Sequence, residues 1–336
     1  MTITRQIVLK SRPMGRPDET NFEFVQTSLP ALNQNEVLVK TRYLSLDPYL
    51  RNMMNEEEFV GPSFQLGQVF GGLAVGEVIE STSLLFQSGD FVSGAWGWQT
   101  FANVDAEPLT KINPDLSPVS TALGVLGISG LTAYFGLTEI GKPKVGETVV
   151  ISGAAGAVGM LAGQIAKLFG AKVIGIAGSA EKNAYLQNEL GFDATINYRM
   201  SNAELLAELK KAAPDGVDVY FDNVGGTITD AVLQLINPGA RIPISGQIAQ
   251  YNQTGTEMGP RIGMLLVKNS ALMQGFSFTN YSSQFPEALE KLSGWIKEGR
   301  LKYKEHIIDG FEHTPKAFSG LFSGENTGKL LVKIPD

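Results

Sequence analysis

The chain has 336 residues and a mass of 36.1 kDa, too long for one ordinary core, so two domains are expected. Its net charge of -7, with no Lys/Arg-rich run, would repel a phosphate backbone and argues against nucleic acid as a partner. The absence of cysteine removes disulfides, thiolate nucleophiles and cysteine-ligated zinc together, and the two histidines, His306 and His313, lie in a polar segment and read as surface residues.

Residues 1–29 mix Arg5, Lys10, Arg12, Arg16, Asp18 and Glu19 without a sustained apolar run. Neither a signal peptide nor a membrane anchor is expected there, and the cytoplasm is the expected location. Up to about Leu109 the pattern is of short strands, with period-2 alternation in Glu36 to Thr41 and Gly71 to Ile79, then Asp90 to Ser93 followed by Trp96 and Trp98. From Val119 the character turns helical as far as Gly141, ahead of Lys142-Pro143.

Strand and helix then alternate, from TVVISG through AVGMLAGQIAKLFG, AKVIGIAG, SAEKNAYLQNELG, ATINY, NAELLAELKKAAP, VDVYFDNVG, ITDAVLQLI and ARIPISG. A short strand near Leu272 to Phe278 and the helix PEALEKLSGWIKEG close the series. Elements of these lengths predict an α/β domain, a doubly wound parallel sheet of Rossmann type, beside a mostly β domain. The closing strands KYKEHII and GKLLVKI have no crossover helices of their own in this reading and are expected to return to the β domain. The expected division is therefore 1–125 and 301–336 for a discontinuous β domain, and 126–300 for the Rossmann domain.

The strand TVVISG runs directly into Gly153-Ala154-Ala155-Gly156-Ala157-Val158-Gly159 and a helix. In that context Gly153, Gly156 and Gly159 let the backbone approach a pyrophosphate, while the N–H groups of Ala157 and Val158 at the helix start favour the anion. Close packing alone would also place glycines there; the surrounding βαβ series favours a dinucleotide. An NAD-selective site carries an acid at the end of the second strand, where this chain has Ala177-Gly178-Ser179. Ser179 can donate a hydrogen bond and Lys182 can neutralise charge, so NADP(H) is the expected cofactor, with Glu181 the one contrary sign.

From ISGAAGAVG through GQIAKLFGAKVIGIAGSAEK, INY, VDVYFDNVGG, SGQIAQYNQTG and GENTGK, the chain resembles the zinc-independent medium-chain dehydrogenases/reductases. The group it resembles is the prostaglandin reductase, leukotriene hydroxydehydrogenase, alkenal reductase and curcumin reductase family. The likeness includes YLSLDPYLRNMM and LGISGLTAYFGL and so spans nearly the whole sequence. It implies a GroES-like β domain and NADPH-dependent reduction of the α,β double bond of enones and enals. By position it implies that Lys182 and Tyr198, with Ser179 nearby, contact the 2′-phosphate. It further implies that Asn223, Tyr251 and Asn326 line the cofactor, that Phe276 and Phe278 border the nicotinamide, and that Thr132 and the Gly127–Gly130 turn lie at that end. The family often carries a tyrosine shortly after the RxxM segment, where this chain has Phe59.

Hydride addition to such a substrate puts negative charge on the carbonyl oxygen, and stabilising it is the catalytic problem. With no credible zinc ligands, hydrogen-bond donors must act; Tyr251, or a donor on the cofactor ribose that it positions, is the candidate, and Tyr251 is equally readable as a loop residue holding cofactor. Tyr49 and Arg51 are candidates for orienting the substrate and are as readily structural, as are Met53, Met54, Phe59 and Phe64 as an apolar wall. No acid is evident for the α-carbon, so solvent is the expected proton source. The expected partner is a small hydrophobic α,β-unsaturated carbonyl compound, and no membrane is expected. Analogy of fold suggests a homodimer. A zinc-free quinone reductase and a non-catalytic NADPH-binding protein are the alternatives. Residues 54–68 and 258–266 have no periodicity to read.

Overall fold

The computed structural model of the chain describes residues 2–58 and 61–335. Two compact units emerge, one made of Met1–Gly124 with Glu305–Asp336 and the other of Val125–Lys304.

The first unit opens with an antiparallel pair, β1 (Ile3–Leu9) and β2 (Phe22–Ser28), that the period-2 search did not single out. There follow β3 (Glu36–Ser45), β4 (Leu73–Ser81), β5 (Phe91–Ala95), β6 (Phe101–Asp105) and β7 (Thr110–Ile112). The alternating segment at Glu36 is thus longer than its pattern suggests, because β3 pairs with β4 along one edge and with β6 along the other. A cluster of rings packs the β1–β2 pair onto this sheet: Phe70 stands edge-on to Trp98 at 4.8 Å, and Phe22 lies 5.3 Å from Phe70. Aromatic side chains carry the largest apolar area per residue, so these rings dominate the first core.

In the second unit the helix α1 (Ile128–Phe135) continues into a π-helical turn, Gly136–Gly141. Then come β8 (Thr148–Ile151), α2 (Ala157–Leu168), β9 (Lys172–Ala177), α3 (Ala180–Asn188), β10 (Ala194–Asn197) and α4 (Asn202–Ala212). The second half adds β11 (Val217–Phe221), α5 (Gly226–Leu233), β12 (Ile236–Ile244), α6 (Gly263–Asn269), β13 (Leu272–Gly275) and α7 (Phe285–Lys297). All six strands pair in parallel in the order β10-β9-β8-β11-β12-β13, the doubly wound arrangement expected. Every residue of β8 is buried, as befits a central strand covered on both faces, and this explains why TVVI reads as a continuous apolar run.

The chain then returns to the first unit as β14 (Glu305–Asp309), α8 (Thr314–Leu321) and β15 (Lys329–Lys333). The two strands are parallel to each other, and α8 supplies the crossover that the sequence reading did not foresee. β15 runs antiparallel to β3, which gives the order β14-β15-β3-β4-β5-β7, and Phe318 of α8 packs 5.4 Å from Trp98. Among the described residues no helix is long and apolar enough to cross a membrane.

At this seam Lys329, only 4% exposed, hydrogen-bonds the buried carboxylate of Asp47, which also accepts from Ser45 Oγ. Removing one member of a buried pair strands the other charge. Lys329→Ala is accordingly expected to destabilise the protein by about 3–5 kcal/mol, read as a lowered denaturation midpoint. The apolar double replacement Asp47→Leu with Lys329→Met is expected to recover most of that loss.

Candidate active site

In a parallel sheet every strand presents its carboxyl end along the same edge, so the loops after β8, β9, β10, β11 and β12 share it. The loop after β8 begins at Ser152. Gly153 takes a φ of +58°, a left-handed conformation that favours glycine. A Cβ on Gly159 would stand 2.3 Å from the Gly153 carbonyl, so α2 packs on the turn closer than a side chain permits. No side chain caps α2 at Gly156, and the N–H groups of Ala157, Val158 and Gly159 have no acceptor within the helix. A tight turn feeding an uncapped helix start is a fitting cradle for a pyrophosphate.

At the end of β9, Ser179 caps α3 by accepting from the Lys182 N–H at 3.2 Å, and no acid stands there. The Tyr198 ring closes over Gly178, where a Cβ would meet ring atoms at 2.9 Å, and Tyr198 stays 38% exposed. Burial, and then the positive charge of Arg199, depress the Lys182 ammonium below its ordinary value against the opposing pull of Glu181. Two cations near one another, one partly desolvated, suit an anion of high charge density. Arg199 escaped the sequence reading. Its signal was available: β10 pairs in parallel with β9 through Asn197 and Ala177, so a residue just past β10 lies beside those just past β9.

Between β8 and β11 the strand order reverses, and there sits Asp222, fully buried and immediately after β11. Its Oδ1 accepts from Ser152 Oγ at 3.0 Å, Tyr220 OH at 2.9 Å, and the N–H groups of Val224 and Gly225 at 3.0 Å. Its Oδ2 accepts from Thr229 Oγ1 at 2.7 Å and Gln247 Nε2 at 2.9 Å. Asn223 is fixed beside it, donating Nδ2 to the Ser152 carbonyl at 2.7 Å and accepting from Ser245 Oγ at 2.5 Å. Neither Asp222 nor Gln247 figured in the sequence-based candidates.

Tyr251 lies on the loop after β12, its hydroxyl accepting the Gln247 N–H at 3.2 Å. Burial chiefly, and the Asp222 charge next, push its ionisation up against that hydrogen bond, so the phenol keeps its proton. Phe276 meets Phe221 edge-on at 6.3 Å, Phe278 stacks on Phe285 at 5.6 Å, and both pack on the second unit's core. Thr132 donates Oγ1 to the Ile128 carbonyl at 2.7 Å within α1. The Gly127–Gly130 segment is the first turn of that helix rather than a free loop, and a Cβ on Gly130 would fall 1.9 Å from the Val125 carbonyl.

The remaining candidates belong to the first unit. Tyr49, Arg51, Met53 and Met54 share a 3-10 turn, Pro48–Met54, in which Pro48 presets the first position. Burial and the nearby Asp47 push the Tyr49 ionisation up, and its hydroxyl stands 3.0 Å from where a Cβ of Gly72 would lie. For Arg51 the structure corrects the expectation of a substrate contact: the side chain is turned inward and the residue is 3% exposed. Its guanidinium donates to the Gly15 carbonyl at 3.0 Å, the Pro13 carbonyl at 3.3 Å and Asn55 Oδ1 at 2.7 Å, which ties the turn to the segment before β2. Met54 is core, fully buried, while Met53 and Phe64 pack partly exposed against it. Asn326 sits in the turn before β15, its amide donating to the Gly328 carbonyl at 2.7 Å. Phe59 lies outside the described residues.

Comparison with known proteins adds a second line of observation. Residues 5–112 match a family model described as the N-terminal domain of oxidoreductase, and residues 157–294 match one described as zinc-binding dehydrogenase. The residues present do not fit a zinc ion: cysteine is absent, and among the described residues no three His, Asp or Glu side chains are grouped to hold a metal. The chain is 50% identical over 334 residues to a putative NADP-dependent oxidoreductase, YfmJ, of Bacillus subtilis (strain 168), covering 99% of this chain and 98% of that one. It is 40% identical over 335 residues to the NADPH-dependent curcumin reductase of Escherichia coli (strain K12), covering 98% and 96%. The crystal structure of CurA from Vibrio vulnificus in complex with NADPH superposes with a TM-score of 0.94 at 40% identity, covering 99% of both chains.

Proposed function

Because the chain belongs to the zinc-independent medium-chain reductases of the prostaglandin, curcumin and alkenal reductase type, we propose that it reduces the α,β double bond of enones and enals with NADPH. The observation that carries the reading is the Tyr251 hydroxyl, half-buried, protonated and held by the Gln247 N–H at the carboxyl edge of the sheet. A phenol that accepts one hydrogen bond through oxygen still has its own proton to donate.

Bound NADPH supplies a hydride for the electrophilic β-carbon of the substrate. The turn from Gly153 to Gly159 binds the pyrophosphate through the N–H groups of Ala157 and Val158 and the dipole of α2. Ser179, Lys182, Tyr198 and Arg199 take the 2′-phosphate, the cations by charge and the hydroxyls by hydrogen bonds. Asn223 and Thr132 face the nicotinamide end, and Phe276 and Phe278 give it an apolar border. Tyr251 donates to the carbonyl oxygen as negative charge builds there, a contribution that counts only when it is stronger in the transition state than in the ground state. Solvent supplies the proton that completes the α-carbon. Within the first unit, Arg51 fixes the Pro48–Met54 turn that carries Tyr49.

A homodimer belongs to the same reading. β13 closes one edge of the second sheet, and beside it Leu272, Met264 and Val267 are exposed apolar side chains, with α6 burying none of its residues. An uncovered strand edge flanked by apolar residues suits a second copy of the same edge.

Tyr251→Phe is expected to lower kcat for an enone by about 10²–10³-fold with the KM for NADPH little changed, measured under saturating substrate. An unaltered kcat would remove the donor role. Lys182→Ala is expected to raise the KM for NADPH by about 10–100-fold while leaving turnover with NADH where it was. Since the Lys182 ammonium is depressed, its charge is lost at lower pH than for an exposed lysine, and NADPH affinity should weaken early as pH rises. Leu272→Lys combined with Val267→Glu should leave monomers by light scattering where the parent gives dimers.

A further inference from the structure

Among the groups with no part in the hydride step, the buried Asp222 and the half-buried Gln247 are the ones whose contacts lead back to the candidate donor. We propose that these two residues form a clamp that sets the position of the Tyr251 hydroxyl, which makes both of them positioning residues for the reduction. The inference rests on the reading of Tyr251 as the hydrogen-bond donor to the carbonyl oxygen.

The loop from Ser245 to Tyr251 is neither strand nor helix; inside it the Gln250 N–H donates to the Gln247 carbonyl at 2.9 Å in a turn, and contacts with its neighbours decide where that turn lies. Its first residue donates backbone N–H to the Asp222 carbonyl at 2.9 Å, and Ala249 donates to the Val224 carbonyl at 3.0 Å. In the middle, the Gln247 amide bridges two acceptors, Asp222 Oδ2 and the Gly246 carbonyl, each at 2.9 Å. The same residue's backbone N–H reaches the Tyr251 hydroxyl at 3.2 Å. One glutamine therefore joins a buried carboxylate to the phenol, side chain on one end and backbone on the other.

The room for this bridge is made by glycine. Gly225 has a φ of +77°, and a Cβ there would stand 2.2 Å from Gln247 Oε1. FDNVGG and SGQIAQY thus read as two halves of one device. Asp222 is the fixed end because it is fully buried and its other acceptor sites are taken by Ser152, Tyr220, Thr229 and the Val224 and Gly225 N–H groups. A donor to a developing oxyanion must be held within about half an ångström, and misplacement by about 1 Å can cost 10²-fold in rate.

A double-mutant cycle tests the clamp, since residues acting through one another give non-additive effects. Gln247→Ala is expected to lower kcat by about tenfold, with NADPH Kd, read by fluorescence, within about twofold of the parent. In a Tyr251→Phe background the same change is expected to have no further effect on kcat. Hydrogen exchange on the cofactor-free chain should show faster amide exchange confined to 245–251 in Gln247→Ala. Asp222→Asn, similar in shape, should repeat both results. If Tyr251→Phe is impaired and Gln247→Ala then lowers kcat equally in both backgrounds, or not at all, the clamp is wrong and the donor reading survives. If Tyr251→Phe keeps its full kcat, the donor reading is wrong and the clamp falls with it.

Discussion

A carboxylate with no solvent contact persists only where donors replace the water it has lost, and the second unit is arranged around that requirement at Asp222. The donors come from segments far apart in the chain: Ser152 after β8, Tyr220 at the end of β11, Thr229 in α5 and Gln247 after β12. Each is drawn to one point, and the point is where the strand order reverses. Ser152 leads directly into the Gly153–Gly159 turn, and Asn223 is pinned to both Ser152 and Ser245. One buried charge thereby brings three of the candidate site's loops, those after β8, β11 and β12, into register. Leaving any of its donors unmade would expose the cost of that charge, so the loops are held more firmly than their irregular backbone suggests.

At the other end of the cofactor-binding edge the electrostatics run in the opposite sense. The chain as a whole is acidic, yet beside β9 and β10 it sets Arg199 close enough to Lys182 to disfavour the lysine's charge. Such a juxtaposition is unfavourable by itself and is relieved by a dianion. The general repulsion of anions by an acidic surface and the local attraction for one phosphate are compatible because charge interactions in water fade over a Debye length, about 8 Å at physiological salt.

How much of this was legible in the sequence follows from how local each feature is. The strand, turn and helix around Gly153–Gly159 are contiguous, so spacing and context sufficed, and the strand-helix alternation gave the doubly wound sheet for the same reason. The missing acid after β9 was likewise readable at one place. Asp222 was not, because its role lies in partners up to 70 residues away and nothing in FDN signals how many donors will converge on it. Arg51 stayed open between substrate contact and structure because only the fold shows its guanidinium donating to the Pro13 and Gly15 carbonyls and to Asn55 Oδ1. The helix α6 was invisible to periodicity since none of its residues is fully buried and its core contact is made by the adjacent Leu265 and Leu266. The helix α8 was overlooked because it is only eight residues long and just Phe318 and Leu321 of its buried residues are large and apolar, the rest being Thr314, Pro315, Ala317 and Gly320.

The seam between β3 and β15 has a consequence for how the chain acquires its structure. Lys329 meets Asp47 across 282 residues of sequence, and the whole second unit is spelled out between them. During synthesis the outer edge of β3 therefore waits, with a buried acid still lacking its cation, while the doubly wound unit emerges and can fold on its own local pairings. The order of assembly is thus written into the connectivity: the unit in the middle of the chain is positioned to mature ahead of the one that begins it.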